Sequence, residues 1–381
     1  MHQPLRAWAE ISLGALAHNL REIRRLTAPS RLMAMVKADA YGHGAVAVSQ
    51  QLCKLEVDYF GVASIDEAME LRTAGIETPI LIMGMTPPHL APLLVENALS
   101  QTVYDSGSAQ AMSRAAAGGA RPLRVHLKVD TGMSRLGVVW RGEETLSELL
   151  SLCRLPHLLY EGLFTHLSAS EDPNDPLNMK QLSDFASIRK GLAAEGINIP
   201  IYHCANSGAV IQFNVAYLDM VRAGLLLYGL TPGEGLPFDG RPVMTFKSRI
   251  AQVKEIPAGA SVSYGHTYTA HEPRRVAVVS AGYADGYHRR LSNKAHVLIA
   301  GRRAPVLGTV CMDMMVVDVT GIPQAQAGDP VVLFGPDRDG ATGATGATDA
   351  IPVDELASLA GTISYELICA VSKRVPRVYI G

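Results

Sequence analysis

The sequence predicts an α/β chain, a (β/α)8 TIM-type barrel followed by a mostly β C-terminal domain. Two observations carry this. Between residues 32 and 222, eight short apolar or β-branched runs alternate with longer segments of helical spacing, the sequence form of repeated βα units around a parallel sheet. Beyond Pro237 the rhythm changes, and alternating strands follow one another through turns with little helical spacing between them. A chain of 381 residues with 48% hydrophobic content is long and apolar enough to bury such cores.

The eight barrel strands are expected near Leu32–Val36, Tyr59–Ser64, Ile80–Gly84, Ser100–Tyr104, Leu123–Val129, Tyr160–His166, Ile201–Cys204 and Asp219–Arg222. Eight parallel strands with helical crossovers suggest a closed barrel, here assigned to residues 10–237. The second domain takes 238–381 together with 1–9, with strands expected at Lys247–Ile256, Val276–Ala281, His296–Ile299, Val316–Val319 and Val331–Phe334. Within it, Asp337–Ala350 (DRDGATGATGATDA) is a low-complexity run with little to bury, expected to be a mobile surface loop without assigned function.

Composition narrows the function. Lys and Arg number 34 against 36 Asp and Glu, so no strong field holds nucleic acid or an anionic membrane, and small-molecule chemistry is favoured. Five scattered cysteines form no CxxC pair and no metal-type spacing with histidine, which fits a reducing compartment and no metal site. Arg6 and Glu10 interrupt what a signal peptide would need as an apolar core, and no run approaches the ~18 apolar residues of a membrane span. The expected location is the cytoplasm.

In RLMAMVKADAYGHG an apolar strand runs directly into Lys37, at the end of the strand where such barrels place catalytic groups. Desolvation there lowers a lysine's pKa and frees its neutral amine for Schiff-base chemistry. A strand-end lysine that merely extends its amine to solvent is the plain alternative. Phosphate sites in these barrels lie after strands seven and eight. After the seventh, HCANSGAV offers Asn206 and Ser207 to cap a helix whose first N–H groups face an anion; after the eighth, VRAGLLLYG offers Gly224 for close backbone approach. Each loop alone reads as structural, but together with Lys37 they point to a phosphorylated carbonyl cofactor.

Longer segments then match a known family. VKADAYGHG resembles the pyridoxal-phosphate attachment motif of the alanine racemases, with Asp39 where the usual form has Asn. LKVDTGMSRLG, THLS, HCANSGA, VRAGLLLYG, SVSYGHTY, GYADGYHRRLSN, GTVCMDMMVVD and GTISYELIC extend the resemblance, in order, over nearly the whole chain. It implies a fold type III enzyme that interconverts L- and D-alanine and supplies D-alanine for bacterial peptidoglycan. Lys37 would hold pyridoxal 5'-phosphate and act as one base; Tyr264, from the partner subunit of a homodimer, would be the other. Tyr41, Ser207, Gly224, Leu225 and Tyr365 would bind the phosphate, Arg222 would face the pyridine nitrogen and His166 would lie against the ring. Arg135 and the N–H of the partner's Met312 would hold the substrate carboxylate, with a carbamylated Lys128 positioning the arginine.

Those residue types suit racemization, which takes the α-proton from one face and returns it on the other. Two groups on opposite faces suffice, an amine and a phenolate. Plain readings stand beside them: His166 as a packed core histidine, Arg135 and Arg222 as surface ion-pair partners, Tyr264 as a cross-strand packing residue, Cys311 as packing, and Tyr283 and Arg289 as either turn or substrate entrance. Two other functions share the barrel: a non-catalytic cofactor carrier, which lacks the second domain, and a decarboxylase of basic amino acids, in which an acidic residue would face the pyridine nitrogen. A serine or broad-specificity racemase is the remaining alternative, because a pocket rejects a slightly larger analogue by only a few kcal/mol.

Overall fold

The computed structural model describes residues 5–233, 235–337 and 350–381, so the expected loop at Asp337–Ala350 lies outside the described residues except for its two end positions. The chain forms two compact units: residues 16–40 with 45–241, and the segment up to Ala15 with Tyr41–Gly44 and Pro242–Gly381.

The first unit is the predicted barrel. Its strands are β1 (Arg31–Met35), β2 (Tyr59–Val62), β3 (Ile80–Ile82), β4 (Leu99–Val103), β5 (Leu123–Asp130), β6 (Leu158–Phe164), β7 (Ile201–His203) and β8 (Met220–Ala223). They pair in parallel in the order β8-β1-β2-β3-β4-β5-β6-β7. Closure is made by the Asp219 N–H donating to Tyr202 O (3.1 Å) and the Arg222 N–H donating to Ala205 O (3.0 Å). Runs such as Tyr59–Val62 and Ile80–Ile82 are buried throughout, because helices cover one face of the sheet and barrel side chains the other. The intervening helices start where the sequence offers caps: Ser64 accepts from Glu67 N–H, Asp105 from Ser108 N–H, and Asp175, followed by Pro176, from Leu177 N–H.

The second unit is built on one antiparallel-rich sheet in the order Ala350–Ile351, Pro330–Pro336, His296–Ile299, Arg302–Leu307, Met315–Asp318, Arg274–Val279, Met244–Ile256, Ala7–Ser12, Arg377–Ile380. Pro330–Pro336 also pairs with Met244–Ile256, so the sheet curls back on itself, with Phe246 edge-on to Phe334 at 5.6 Å. The first strand is held by a buried ion pair, Lys247 Nζ to Glu10 Oε2 at 3.0 Å. Two helices, Val353–Ala360 and Ser364–Ala370, complete the unit. No helix among the described residues is long and apolar enough to cross a membrane.

Candidate active site

In the barrel unit, buried β1 leads through Val36 to half-buried Lys37. The backbone then winds left-handed: Ala38, Asp39, Ala40 and Tyr41 have φ of 51, 53, 53 and 54°, followed by Gly42 at 81°. Each L-residue held there costs about 1–2 kcal/mol, so the turn exists only because its surroundings fix it. Glu67 accepts from the Ala38 N–H at 2.8 Å and from the Ala63 N–H at 2.6 Å, and Asp39 Oδ1 accepts from the Ala45 N–H at 2.7 Å. Asn offers the same acceptor oxygen, which is why Asp39 fits a position where the motif usually has Asn.

Arg222, 3% exposed on β8, donates through Nη1 to His203 Nδ1 (3.0 Å) and through Nη2 to Thr165 O (2.9 Å), Cys204 O (2.9 Å) and His166 Nδ1 (3.2 Å). Burial lowers its pKa to about 10. Burial, followed by the charge of Arg222, also holds His166 and His203 well below the usual imidazole range. Both rings are therefore neutral, and each turns a bare Nδ1 toward the guanidinium, which can only donate. On the loops after β7 and β8, Ser207 Oγ accepts from the Gly224 N–H at 3.1 Å. Asn206 caps the short helix Ser207–Gln212, and Leu225 is buried beside Gly224.

Lys128, 5% exposed on β5, donates to Val129 O at 2.6 Å and lies 5.5 Å from the Phe164 ring. Burial, then the charge of Arg222, lowers its pKa to about 7. Arg135 is exposed on the loop after β5, where Asp130 accepts from the N–H groups of Gly132, Met133 and Arg135.

In the β unit, buried Tyr41 lies 5.9 Å from Tyr365, ring to ring, and Gly42 O accepts from Arg377 Nε at 2.9 Å. Burial, then Tyr365, raises the Tyr41 hydroxyl above the usual phenol range. A Cβ on Gly42 would come within 2.4 Å of Ile368 O, so glycine is required there for space as well as for its φ. Tyr264 sits in a turn whose other residues, Ser263, Gly265 and His266, have φ of 64, 74 and 50°. Its side chain is 72% exposed. Thr309 Oγ1 bonds the Tyr264 carbonyl at 2.9 Å, and the carbonyls of Cys311 and Met312 accept from Tyr283 and Ala284 N–H at 3.0 Å each, so Tyr264, Tyr283 and exposed Met312 share one patch. Cys311 Sγ lies 3.2 Å from Ser263 Oγ and 3.6 Å from Thr309 O.

Residues 11–232 match the family described as alanine racemase, N-terminal domain, and residues 243–379 match alanine racemase, C-terminal domain. The chain belongs to the alanine racemase family. The alanine racemase of Desulfovibrio desulfuricans is 45% identical over 377 residues, which span 98% of each chain. The structure of the alanine racemase from Clostridium difficile 630 superposes with a TM-score of 0.92 at 35% identity, covering 100% of this chain and 97% of that one. A Bartonella henselae alanine racemase, solved with covalently bound pyridoxal phosphate, gives 0.86 at 28% identity over 99% of this chain and all of that one. Membership makes the chain an amino-acid racemase, an isomerase, which sets aside the carrier and decarboxylase alternatives.

The alanine racemase barrel thus joins Arg222 with His166 and Ser207 with Gly224, while the β unit joins Tyr41 with Tyr365, Tyr264 with Thr309, and Met312 with Ala284. Sequence reasoning missed His203 and, behind it, His126 and Glu161. Nothing in a strand's residue pattern says which of its polar side chains converge inside a barrel; only the register does.

Proposed function

We propose that this racemase interconverts L- and D-alanine with pyridoxal 5'-phosphate, Lys37 and Tyr264 serving as the two bases. The observation that carries the reading is the donor set at the ends of the barrel strands: an amine at Lys37, a buried guanidinium at Arg222, and a hydroxyl-to-amide clasp between Ser207 and Gly224. That set fits a phosphorylated aldehyde. Lys37 would hold it, Ser207, Gly224, Leu225, Tyr41 and Tyr365 would bind its phosphate, and Arg222 and His166 would lie against its ring. When bound, the cofactor supplies an electron-accepting ring that acidifies the Cα–H of the amino acid.

Lys37 takes or returns that proton on one face of the amino acid, and Tyr264 of the partner subunit does so on the other. Arg222 keeps its own protons, so it leaves a ring nitrogen beside it unprotonated and limits how far charge is drawn from Cα, which disfavours transamination. Arg135 and the Met312 N–H orient the substrate carboxylate. Lys128, neutral at about half occupancy near neutral pH given a pKa of about 7, is suited to carbamylation and to bracing Arg135. Homodimer formation is supported by the exposed patch of Tyr264, Tyr283 and Met312, large apolar side chains that a second copy would cover. D-Alanine made in the cytoplasm would feed cell-wall peptidoglycan.

The test combines three readings. Purified protein should absorb as a lysine-bound pyridoxal, Lys37→Ala should lose that band, and chiral analysis after incubation with L-alanine should find a mixture of both enantiomers. Cofactor-bearing wild-type protein that forms no D-alanine would overturn the proposal.

A further inference from the structure

We propose that Glu161 is a positioning residue for Arg222, acting through His126 and His203 as a one-way chain of N–H donors across the barrel interior. The inference rests on the reading that Arg222 faces the cofactor ring. The contacts run from Arg222 Nη1 to His203 Nδ1 at 3.0 Å and from His203 Nε2 to His126 Nδ1 at 2.9 Å, and end on His126 Nε2, which is buried, makes no full hydrogen bond, and has Glu161 Oε1 at 3.4 Å as the acceptor that faces it. Both histidines are fully buried.

Its two ends fix its direction. A guanidinium only donates, so His203 Nδ1 must be bare and its proton must sit on Nε2. That proton points at His126 Nδ1, which must accept it, leaving the His126 proton on Nε2, facing a carboxylate that only accepts. Reversing either ring would set two donors, or two acceptors, against each other in a dry interior, where such a mismatch costs most. Glu161 is built to be the sink of the chain. Its Oε1 also accepts from Tyr59 Oη at 2.6 Å and from Ser100 Oγ, with Arg124 Nε 3.9 Å from Oε2. Burial opposes ionisation, but His126 beside it and the hydroxyls of Ser100 and Tyr59 hold the carboxyl down to about 2.

The barrel also makes room for the relay. His126 on β5 stands beside Gly162 on β6, and a Cβ at Gly162 would come within 2.1 Å of His126 Nδ1. Phe164 stacks on the His203 ring at 4.7 Å and 8°, fixing its plane. Among the described residues Arg222 bonds imidazoles and backbone carbonyls and no carboxylate, so Glu161 supplies its counter-charge at a distance, through two rings held in one tautomer each.

Neutron diffraction on deuterated, cofactor-loaded protein reads this directly. The expected map has deuterium on Nε2 of both His126 and His203 and none on either Nδ1; deuterium on Nδ1 of either ring overturns the proposal. This readout does not depend on the racemization assay, so a wild-type protein inert toward alanine would sink the functional reading and leave the hydrogen positions standing. In kinetics, Glu161→Leu, which touches neither cofactor nor substrate, should lower kcat about tenfold with KM for alanine unchanged, and Glu161→Gln, which keeps an acceptor oxygen, should recover most of it. A kcat for Glu161→Leu equal to that of wild type at equal cofactor content would also overturn it. Should Glu161→Leu not fold, the neutron map decides alone.

Discussion

Lys128 offers the sharpest quantitative test. Its amine is buried, within the field of Arg222 and Arg135, and its pKa falls from 10.5 to about 7. That displacement corresponds to roughly 5 kcal/mol against the ammonium form. At neutral pH about half of these amines are uncharged, against about one in 3,000 for an exposed lysine. Only the neutral amine captures carbon dioxide, forming an N–C bond and releasing a proton. The cations that disfavour an ammonium also favour the resulting carbamate anion, so capture is doubly promoted. With 13C-bicarbonate at about pH 8, where roughly nine-tenths of the amines are neutral, wild-type protein should show a 13C carbamate resonance. Lys128→Arg, whose guanidinium does not react, should lack it. The signal should fade as pH falls below about 7, because protonation removes the nucleophile. If, as proposed, the carbamate braces Arg135, KM for alanine should rise about tenfold in Lys128→Arg. No carbamate in wild type at about pH 8, or the same KM in Lys128→Arg, would refute the reasoning.

Tyr264→Phe keeps the ring and removes the hydroxyl, so kcat should fall by about 10²–10⁴ in both directions, while Lys37 still exchanges the α-proton of one enantiomer with D2O, followed by NMR; full activity would end the two-base scheme. Asp39→Ala deletes the acceptor of the Ala45 N–H and should cost about 1 kcal/mol in denaturant unfolding, whereas Asp39→Asn should stay within about 0.5 kcal/mol; equal losses would show that the hydrogen bond is not what holds the turn.

The barrel was legible because its strands are buried on both sides and its helices begin at written caps such as Ser64, Asp105 and Asp175. All eight strands fall where the apolar runs place them. In the β unit the pattern is weaker. Arg302–Leu307 opens with two arginines and contains Pro305, and the apolar run of Arg377–Ile380 is only three residues long, at one edge of the sheet with no fully buried residue, so neither stands out. The helices Val353–Ala360 and Ser364–Ala370 are only 8 and 7 residues long, too short to impose a clear period, and no element is expected there from the sequence. At the site, motifs named the residues that would touch ligands. They did not name Glu161, whose part depends on which strands neighbour one another, nor the left-handed turn after Lys37, which no run of Ala, Asp and Ala announces.

The imidazoles lodged inside the barrel have a consequence for the acid limit of the fold. His203 and His166 stay uncharged in the native chain, while in the unfolded chain the same rings take up protons below about pH 6.5. Each therefore adds stability that is complete above that pH and drains away as the solution is acidified beneath it. Acid should therefore draw this protein toward the unfolded state, because only there can these two rings bind the protons that the barrel interior denies them.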